Sequence, residues 1–375
     1  MALFPATDVY DARPEDVRPV AGGWLGWLLL VVAAVAIVAI ALIPAPYVVQ
    51  KPGPVFDTLG DVTIDEELVP LIEIPMQETF PTKGSLNMLT VVVEGNRENR
   101  LNWFQVGTAW LDRSKAVLPI DSVYSPEETV EQSNEQSRIA MEVSQQEAIA
   151  AALRTLDYQF PSVLTVADVG VDSPAAGVLE PGDIITSVNG ETFADVTALR
   201  TEIAKNGIVD PAVVSVTRDG VPLIAEIVPV MSTTGTDADA PILGVIISSE
   251  YDFPFDVTIQ LENVGGPSAG QMFALGIIDK LTPGQLNGGA DVAGTGTISG
   301  AGEIGPIGGI RQKMYGALAE RAGYFLAPAD NCDEVTGYIP DGLEVFAVST
   351  LDESLLVLEG IAEGRTEGLP TCPIE

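Results

Sequence analysis

One long apolar run near the amino terminus dominates the pattern of hydrophobic and polar positions along the chain. Residues 25–43 consist only of apolar residues and glycine, and no charged residue occurs between Arg18 and Lys51. About twenty consecutive apolar residues are the length that an α-helix needs to cross the hydrocarbon core of a bilayer. The pattern therefore predicts a transmembrane helix at residues 23–46, preceded by a short tail at residues 1–22.

A cleaved signal peptide is the alternative for this run, because Ala39 and Ala41 have the spacing of a cleavage site. The run is longer than a typical signal core and Trp24 stands at its start, so a retained anchor is the preferred interpretation. Basic residues precede the run at positions 13 and 18, and only Lys51 follows it closely. The positive-inside rule then predicts a single pass through the lipid bilayer of the cell membrane, with a cytoplasmic amino terminus and an extracytoplasmic body.

Beyond the apolar run, the pattern changes from strand-like to helical. Residues 87–93 are mostly apolar and rich in β-branched side chains, which predicts a strand. Between residues 126 and 156 the composition turns to Glu, Gln, Ser and Ala, and apolar residues such as Ile149 and Leu153 recur at helical spacing. We therefore expect residues 47–157 to form an extracytoplasmic linking region that contains strands and a long helix.

Short strands separated by turns are predicted at residues 158–232. The turns are Ser-Pro-Ala-Ala-Gly at 173–177, Pro-Gly-Asp-Ile-Ile at 181–185 and Val-Asn-Gly at 188–190. In this order the segments resemble the PDZ domain of bacterial proteases. The resemblance implies that an extended peptide adds as a strand beside a helix at residues 196–205. A glycine-rich turn that would bind a terminal carboxylate is not recognisable near residues 158–161, so recognition of a free carboxyl terminus stays open.

Composition excludes several classes of chemistry. The chain has no histidine, which rules out a Ser-His-Asp triad and any histidine metal site. Eighteen basic residues stand against 53 acidic ones, and the formal charge of -35 repels the phosphates of nucleic acids. The sequence contains no Gly-x-x-x-x-Gly-Lys-Ser/Thr nucleotide loop, and two cysteines are too few for a structural zinc site. We therefore expect neither a nucleic-acid partner nor a cofactor. The state of the two cysteines is a separate question: Cys332 and Cys372 either form a disulfide or remain free thiols.

A serine and a lysine carry the candidate chemistry. Ser268 lies in Gly-Gly-Pro-Ser-Ala-Gly, just before a helix predicted at residues 271–280. Unpaired N–H groups around Gly266 and Ser268 are placed there to stabilise an oxyanion. Lys313 lies among isoleucines at the start of another predicted helix, where burial would lower its pKa from about 10.4 toward neutrality. A neutral lysine can accept the proton of a serine hydroxyl, as a general base must.

Three segments of the carboxyl-terminal part resemble the proteolytic domain of Lon proteases in order and spacing. They are residues 266–270, 291–298 and 306–313. The resemblance implies a Lon-type domain at residues 240–365, with Ser268 as the nucleophile, Lys313 as the general base and Thr295 as the residue that helps to hold the lysine. Thr297 stands where Lon proteases usually have a glutamate, so any role of that carboxylate is lost or taken elsewhere.

An anchor, a PDZ domain and a Lon-type domain in this order resemble the PDZ-containing, Lon-like (YlbL-type) membrane serine proteases. The resemblance implies an α+β fold, in which a transmembrane helix, a mixed α/β linking region and a PDZ-like β-sandwich or barrel precede the Lon-type α+β domain. It also implies an ATP-independent serine endopeptidase that acts on membrane-proximal or unfolded protein and peptide substrates. Whether the chain forms a homo-oligomer stays open. The alternatives are a membrane-tethered PDZ scaffold with an inert Lon-like domain and a Ser-Lys hydrolase of small amides.

Overall fold

The computed structural model describes residues 23–124, 129–170, 172–193, 195–232, 240–262 and 264–373 of the chain. Within the first helix, the side chains of residues 23, 25, 36, 37 and 39–42 are also outside the described part. The tail predicted at residues 1–22 therefore lies outside the described residues.

The described residues form helices and strands that alternate along much of the chain. The helices are α1 (Gly23–Leu42), α2 (Trp103–Trp110), α3 (Ile120–Val123), α4 (Val130–Thr155), α5 (Val196–Asn206), α6 (Gly270–Leu281), α7 (Ile310–Ala319), α8 (Cys332–Val335) and α9 (Leu351–Ala362). The strands are β1 (Tyr47–Asp57), β2 (Asp61–Ile64), β3 (Glu67–Pro70), β4 (Ile72–Glu73), β5 (Ser85–Glu94), β6 (Ala116–Pro119), β7 (Ser162–Val169), β8 (Ile184–Val188), β9 (Ala212–Arg218), β10 (Val221–Ile227), β11 (Val230–Met231), β12 (Pro241–Ile242), β13 (Val245–Tyr251), β14 (Thr258–Ile259), β15 (Asp291–Gly294), β16 (Thr297–Ile298), β17 (Ile304–Gly305), β18 (Tyr324–Pro328) and β19 (Glu344–Val348).

Helix α1 coincides with the apolar run for which the sequence predicts a membrane span. Several of its side chains lie outside the described part of the chain. In the part that the structure describes, no helix combines the length and the apolar character that crossing a membrane requires. The transmembrane helix predicted at residues 23–46 is therefore not confirmed.

A six-stranded mixed sheet forms the larger body of the protein, with the strand order β19-β18-β15-β5-β1-β6. Residues 85–88 of β5 pair in parallel with β15, and β5 also pairs antiparallel with β1. Strands β1, β5 and β6, expected to belong to a linking region, thus share one sheet with β15, β18 and β19. The physical reason is burial: Leu86 and Met88 are fully buried, and they pack in one core with residues of both parts.

The two faces of this sheet carry different helices. Successive residues of a strand point to opposite faces, and accordingly Leu326 belongs to one apolar core and its neighbour Phe325 to another. Helices α4, α6 and α9 supply the first core, whereas α7 supplies the second. The helix that follows Ser268 and the helix that contains Lys313 therefore pack on opposite faces of one sheet.

A five-stranded sheet with the order β10-β9-β8-β7-β13 forms the smaller body. Helix α5 confirms the helix predicted at residues 196–205, and Leu199 and Ile203 bury its apolar side in this body. Strand β13 pairs with β7, although it lies within the range 240–365 expected for the Lon-type domain. The smaller body is thus inserted between α4 and α6 of the larger one.

The carboxyl-terminal segment is tied to the larger body. Cys332 and Cys372 form a disulfide, with their Cα atoms 5.1 Å apart, so the alternative of two free thiols does not hold. Near this bond, Ala347 donates its N–H to the carbonyl of Pro370 at 2.9 Å, and the Thr336 hydroxyl donates to the carbonyl of Pro373 at 2.9 Å. The last described residues therefore extend the packing around β19 and α8.

Candidate active site

Ser268 lies in the turn that leads into helix α6. Its carbonyl oxygen accepts hydrogen bonds from the Thr295 hydroxyl and from the N–H of Gly296, both at 2.9 Å. The preceding carbonyl, that of Pro267, accepts a hydrogen bond from the hydroxyl of Ser144 in α4 at 2.9 Å. The turn is therefore held from two sides, and this fixes the direction in which the half-buried Ser268 side chain points.

Lys313 lies in the first turn of α7 and is almost completely buried, with 1% of its surface exposed. Ile310 and Met314 beside it belong to the same apolar core. The helix begins after Gly309, whose φ of 71° and close approach to Val91 require glycine, since a Cβ would come within 2.9 Å of a Val91 methyl carbon. Burial lowers the pKa of Lys313 to about 7.

The side chains of Ser268, Lys313 and Thr295 meet, although α6 and α7 lie on opposite faces of the sheet. Lys313 Nζ is 2.7 Å from Ser268 Oγ and 2.8 Å from Thr295 Oγ1. Because the Thr295 hydroxyl donates its proton to the Ser268 carbonyl, it presents a lone pair to the lysine. Thr295 directly follows β15, so the site lies at the carboxyl end of an inner strand. The structure thus brings together the three side chains that the sequence singles out.

The N–H group of Gly266, expected to stabilise an oxyanion, has another partner in the structure. Its N–H donates to the carbonyl of Ser137 in α4 at 2.8 Å, so in this arrangement the group is engaged and does not face an oxyanion at Ser268. Within the described residues, no acceptor binds the N–H of Ser268 or of Ala269. Both N–H groups lie at the start of α6, where the first donors of a helix have no partner inside it.

A cavity of about 240 Å³ opens beside Ser268. Leu89, Val91, Met141 and Val264 give it apolar walls. A larger cavity of about 690 Å³ continues beyond the turn and is more polar, with exposed Glu262 at its rim. The site can therefore take an apolar side chain next to the nucleophile and polar groups farther away.

Strand β5 leaves part of one edge unpaired at the smaller cavity. Strand β15 pairs with residues 85–88 of β5, and in the described part of the chain residues 89–94 pair with β1 alone. Residues 88–92 line the cavity beside Ser268. An unpaired strand edge offers N–H and C=O groups to an additional extended segment.

A second concave site lies between α5 and strands β12 and β13. It has a volume of about 270 Å³, and Leu199, Ile203 and Ile242 are among the residues that line it. Gly244, with a φ of 73°, forms a turn at one end of this groove. The PDZ resemblance implies a glycine turn before the first strand of that part, near residues 158–161, whereas the Gly244 turn comes after strands β7–β10 along the chain. Its only signal in the sequence is a single glycine inside the apolar segment 241–247.

Helix α4 contributes to the site in a way that sequence reasoning missed. Ser137, Met141 and Ser144 contact the turn or line the cavity beside Ser268. Their spacing of four and three residues places them on one face of the helix, and this spacing is the feature of the sequence that indicates a shared contact surface. Serine and methionine at these positions have no chemical signature of their own, and for this reason the sequence predicts only a linking region for this helix.

Two family models match the chain. The model of the PDZ domain matches residues 136–228. The model of the Lon protease (S16) C-terminal proteolytic domain matches residues 263–359, a range that contains Ser268, Thr295 and Lys313.

Curated relatives match the carboxyl-terminal part. Lon protease 1 of Sorangium cellulosum (strain So ce56) is 41% identical over 95 residues, which are 24% of this chain and 11% of that protein. The Lon protease of Haemophilus influenzae is 32% identical over 139 residues, which are 34% of this chain and 17% of that protein. The chain therefore spans less than a fifth of the length of these relatives.

Solved structures match a smaller part of the chain. The crystal structure of the PDZ domain of an SdrC-like protein from Listeria innocua is 24% identical and covers 23% of this chain and 92% of that one, with a TM-score of 0.21. A solution structure of a protein from Geobacillus thermodenitrificans is 28% identical and covers 18% of this chain and 78% of that one, with a TM-score of 0.17.

The matches and the fold together define a class. The chain is a PDZ-containing, Lon-like protein of mixed α+β structure, and its carboxyl-terminal part matches the Lon-type proteolytic domain. This domain contains the serine, the threonine and the buried lysine that meet in the structure.

Proposed function

We propose that the chain is an ATP-independent serine endopeptidase in which Ser268 is the nucleophile and Lys313 is the general base. The observation that carries the proposal is the 2.7 Å contact between Lys313 Nζ and Ser268 Oγ, made by a lysine that is 1% exposed. Similarity to proteins named Lon proteases supports peptide hydrolysis as the reaction. Independence of ATP is proposed because the sequence has no Gly-x-x-x-x-Gly-Lys-Ser/Thr loop.

The proposed mechanism starts from a neutral lysine. With a pKa of about 7, a large share of Lys313 is uncharged at neutral pH. One N–H of the amine donates to Thr295 Oγ1, which orients the nitrogen lone pair toward the Ser268 hydroxyl. Ser268 Oγ then attacks the scissile carbonyl carbon while its proton moves to Lys313 Nζ, and the lysine returns this proton to the leaving amine. Water completes the cycle by attacking the acyl-enzyme, with Lys313 again as the base.

The oxyanion and the substrate backbone would bind at different elements, the start of α6 and the free edge of β5. While the N–H of Gly266 binds Ser137, the N–H groups of Ser268 and Ala269 at the start of α6 are the donors that would stabilise the oxyanion. An extended substrate pairs with the free edge of β5 at residues 89–92, next to the nucleophile. One apolar side chain of the substrate then enters the 240 Å³ cavity beside Met141.

The groove of the PDZ part is proposed to hold a second stretch of peptide. Strand β13 is the edge strand of its sheet, and α5 forms the opposite wall of the groove. A peptide added to β13 would place its end near the turn at Gly244. Substrate choice would then combine the apolar lining of this groove with the cavity beside Ser268.

The location of the body is also a proposal. We place residues 23–46 in the membrane because the sequence of α1 has no charged residue, and twenty helical residues are about 30 Å long. Phe104 and Trp110 are exposed on α2, which contacts α1, and aromatic side chains favour the membrane interface. The disulfide between Cys332 and Cys372 is typical of an oxidising compartment outside the cytoplasm.

Membrane fractionation tests this placement. After alkaline carbonate extraction we expect the full chain to stay in the membrane pellet, and external protease should degrade its carboxyl-terminal body in intact cells. Release into the supernatant would contradict the anchor. Protection of the body from external protease would contradict its orientation.

The enzymatic proposal is tested with Ser268→Ala in the full chain, using casein as an unfolded substrate. We expect a loss of turnover of about a thousandfold or more, because the nucleophile is removed. Ser122→Ala is the matched control, since Ser122 is exposed in α3, does not line the cavity beside Ser268 and should leave turnover unchanged. Equal rates for wild type and Ser268→Ala would support the non-catalytic PDZ scaffold instead.

A further inference from the structure

A cluster of side chains joins the two bodies at the carboxyl-terminal end of α4. Arg154 Nη1 donates to the carbonyl of Gly300 at 2.7 Å and lies 3.3 Å from Asp195 Oδ2. The guanidinium group also stands over the ring of Tyr251, 5.4 Å from its centre. We call Glu147, Arg154, Asp195, Tyr251 and Gly300 the junction cluster.

Glu147 closes the junction cluster from the same helix. One of its carboxylate oxygens accepts a hydrogen bond from the Tyr251 hydroxyl at 3.0 Å, and the other accepts the N–H of Gly300. Both main-chain groups of Gly300 are therefore bound by α4. A Cβ at Gly300 would come within 2.5 Å of the Tyr251 hydroxyl, so only glycine fits this closely packed centre.

Both walls of the peptide groove end in the junction cluster. Tyr251 is the last residue of β13, which forms one wall. Asp195 is the N-cap of α5, which forms the other, and its second oxygen accepts the N–H of Ala198 at 2.8 Å. The groove therefore lies between two elements, β13 and α5, that each contact the same helix, α4.

The other end of α4 holds the Ser268 turn. About 25 Å of helix separates Arg154 from Ser137, whose carbonyl accepts the Gly266 N–H. Glu147 lies one turn beyond Ser144, whose hydroxyl donates to Pro267. The junction cluster also holds the β16–β17 turn through Gly300, and β16 begins two residues after Thr295. Two elements thus lead from the groove walls to the residues around the nucleophile.

We propose that the junction cluster couples the peptide groove to the Ser268 turn, and that a peptide in the groove releases the Gly266 N–H from Ser137 so that it can bind the oxyanion. Arg154 is the central positioning residue of this coupling. A bound peptide spreads β13 and α5, which weakens the contacts of Asp195 and Tyr251 with α4. The coupling acts on the same nucleophile as the proposed endopeptidase and therefore rests on that function. Linkage requires the reverse effect as well: a ligand that binds the released Gly266 N–H must raise the affinity of the groove for its peptide by the factor by which the peptide raises the affinity for that ligand.

A substitution that fills the groove tests the coupling without a known peptide ligand. Ala204 is exposed and lines the groove, so the indole of Ala204→Trp would occupy part of its volume. In the full chain we expect hydrogen exchange at residues 264–270 to become about fivefold faster or more, the lower range of typical coupling between sites. Arg154→Met should speed the same exchange, and Ala204→Trp should add nothing in the Arg154→Met background.

Two further variants test the coupling independently of Ala204→Trp, in case that substitution disturbs folding. Tyr251→Phe removes only the hydroxyl that donates to Glu147, and it should speed exchange at residues 264–270 in the same direction. Lys205→Met removes an exposed charge from α5 without touching the junction cluster, so it should leave this exchange unchanged. Thermal melting of each variant shows whether the body remains folded.

The outcomes separate this coupling from the proposed enzyme activity. Equal effects of Ala204→Trp with and without Arg154 would overturn the coupling, and so would unchanged exchange in both Ala204→Trp and Tyr251→Phe. Labelling of Ser268 by a fluorophosphonate is measured in parallel and should accelerate together with the exchange. If exchange changes as expected but Ser268 is never labelled, the link between the groove and the Ser268 turn stands, whereas its role in binding an oxyanion fails together with the endopeptidase proposal.

Discussion

Two lysines of the larger body have different surroundings, since Lys280 is half-buried near carboxylates and Lys313 is almost completely buried beside hydroxyls. Burial lowers the pKa of Lys280, but the carboxylates of Asp61, Asp57 and Asp279 oppose this change, and its Nζ donates to the carbonyl of Ile72 at 2.9 Å. Burial also lowers the pKa of Lys313, to about 7, and its side-chain contacts are the hydroxyls of Ser268 and Thr295. Carboxylates keep a buried ammonium charged, whereas apolar walls and hydroxyls allow the amine to lose its proton.

The two helices reinforce this difference. Lys280 lies in the last turn of α6, where the partial negative charge of the helix end stabilises a cation. Lys313 lies in the first turn of α7, where the partial positive charge disfavours one. A buried lysine is therefore a candidate base only when both its neighbours and its position in the helix favour the neutral form.

Substitution of the two lysines should separate their roles most strongly. Lys313→Met removes the proposed base, and we expect turnover of casein to fall by about a thousandfold or more. Lys313→Arg should be equally inactive, because a guanidinium group does not deprotonate at these pH values. Lys280→Met should stay within about fivefold of wild type, in keeping with the small effect expected of a residue outside the reaction. Comparable losses for Lys280→Met and Lys313→Met would remove the distinction between the two sites.

The pH dependence of turnover should report Lys313 alone. The active form needs the neutral amine, so kcat/KM should rise with pH and level off above about 7, the pKa of Lys313. At pH 5 we expect a rate about a hundredfold below the plateau, since each unit below the pKa reduces the neutral fraction about tenfold. Lys280→Met should keep the same midpoint. A midpoint near the pKa of a carboxyl group would point to another base.

The hydroxyl of Thr295 should have a smaller effect. Thr295→Val keeps the shape of the side chain but removes the acceptor for Lys313 and the donor to the Ser268 carbonyl. We expect kcat to fall about two- to tenfold, as for the loss of a neutral hydrogen bond, with little change in KM. Thr295→Ser retains the hydroxyl and should recover most of the rate. Full activity of Thr295→Val would show that burial alone positions the lysine.

The smallest expected effect is on the pH dependence of the free energy of unfolding, to which Lys313 should contribute. Because the folded pKa of Lys313 lies below its unfolded value, the unfolded chain binds more protons between about pH 7 and 10.5, and stability rises with pH in this window. The gain between pH 7 and pH 8 should be about 1 kcal/mol, measured by denaturant unfolding. It should disappear in Lys313→Met. A gain of the same size in that variant would assign the effect to other groups.

The sequence alone located the candidate residues, and the structure places Lys313 Nζ 2.7 Å from Ser268 Oγ. The glycine-rich turn before Ser268 and the apolar residues around Lys313 are local features, and local spacing predicts that one residue precedes a helix and the other begins one. The absence of histidine restricts the choice of base regardless of the fold. The PDZ turns and the long helix α4 could be predicted for the same reason, since each depends on a few neighbouring residues.

Tertiary structure alone decided which of these pieces share a core and where individual groups point. Strand β5 pairs with β15 across about 200 positions of the chain, and no local pattern specifies a partner so distant. The same holds for the disulfide, for the junction cluster and for the Gly266 N–H, which binds Ser137. Periodicity specifies what kind of element a segment becomes. The contacts between elements depend on how the buried surfaces of the whole chain fit together, and they place Lys313 beside Ser268 from opposite faces of a sheet.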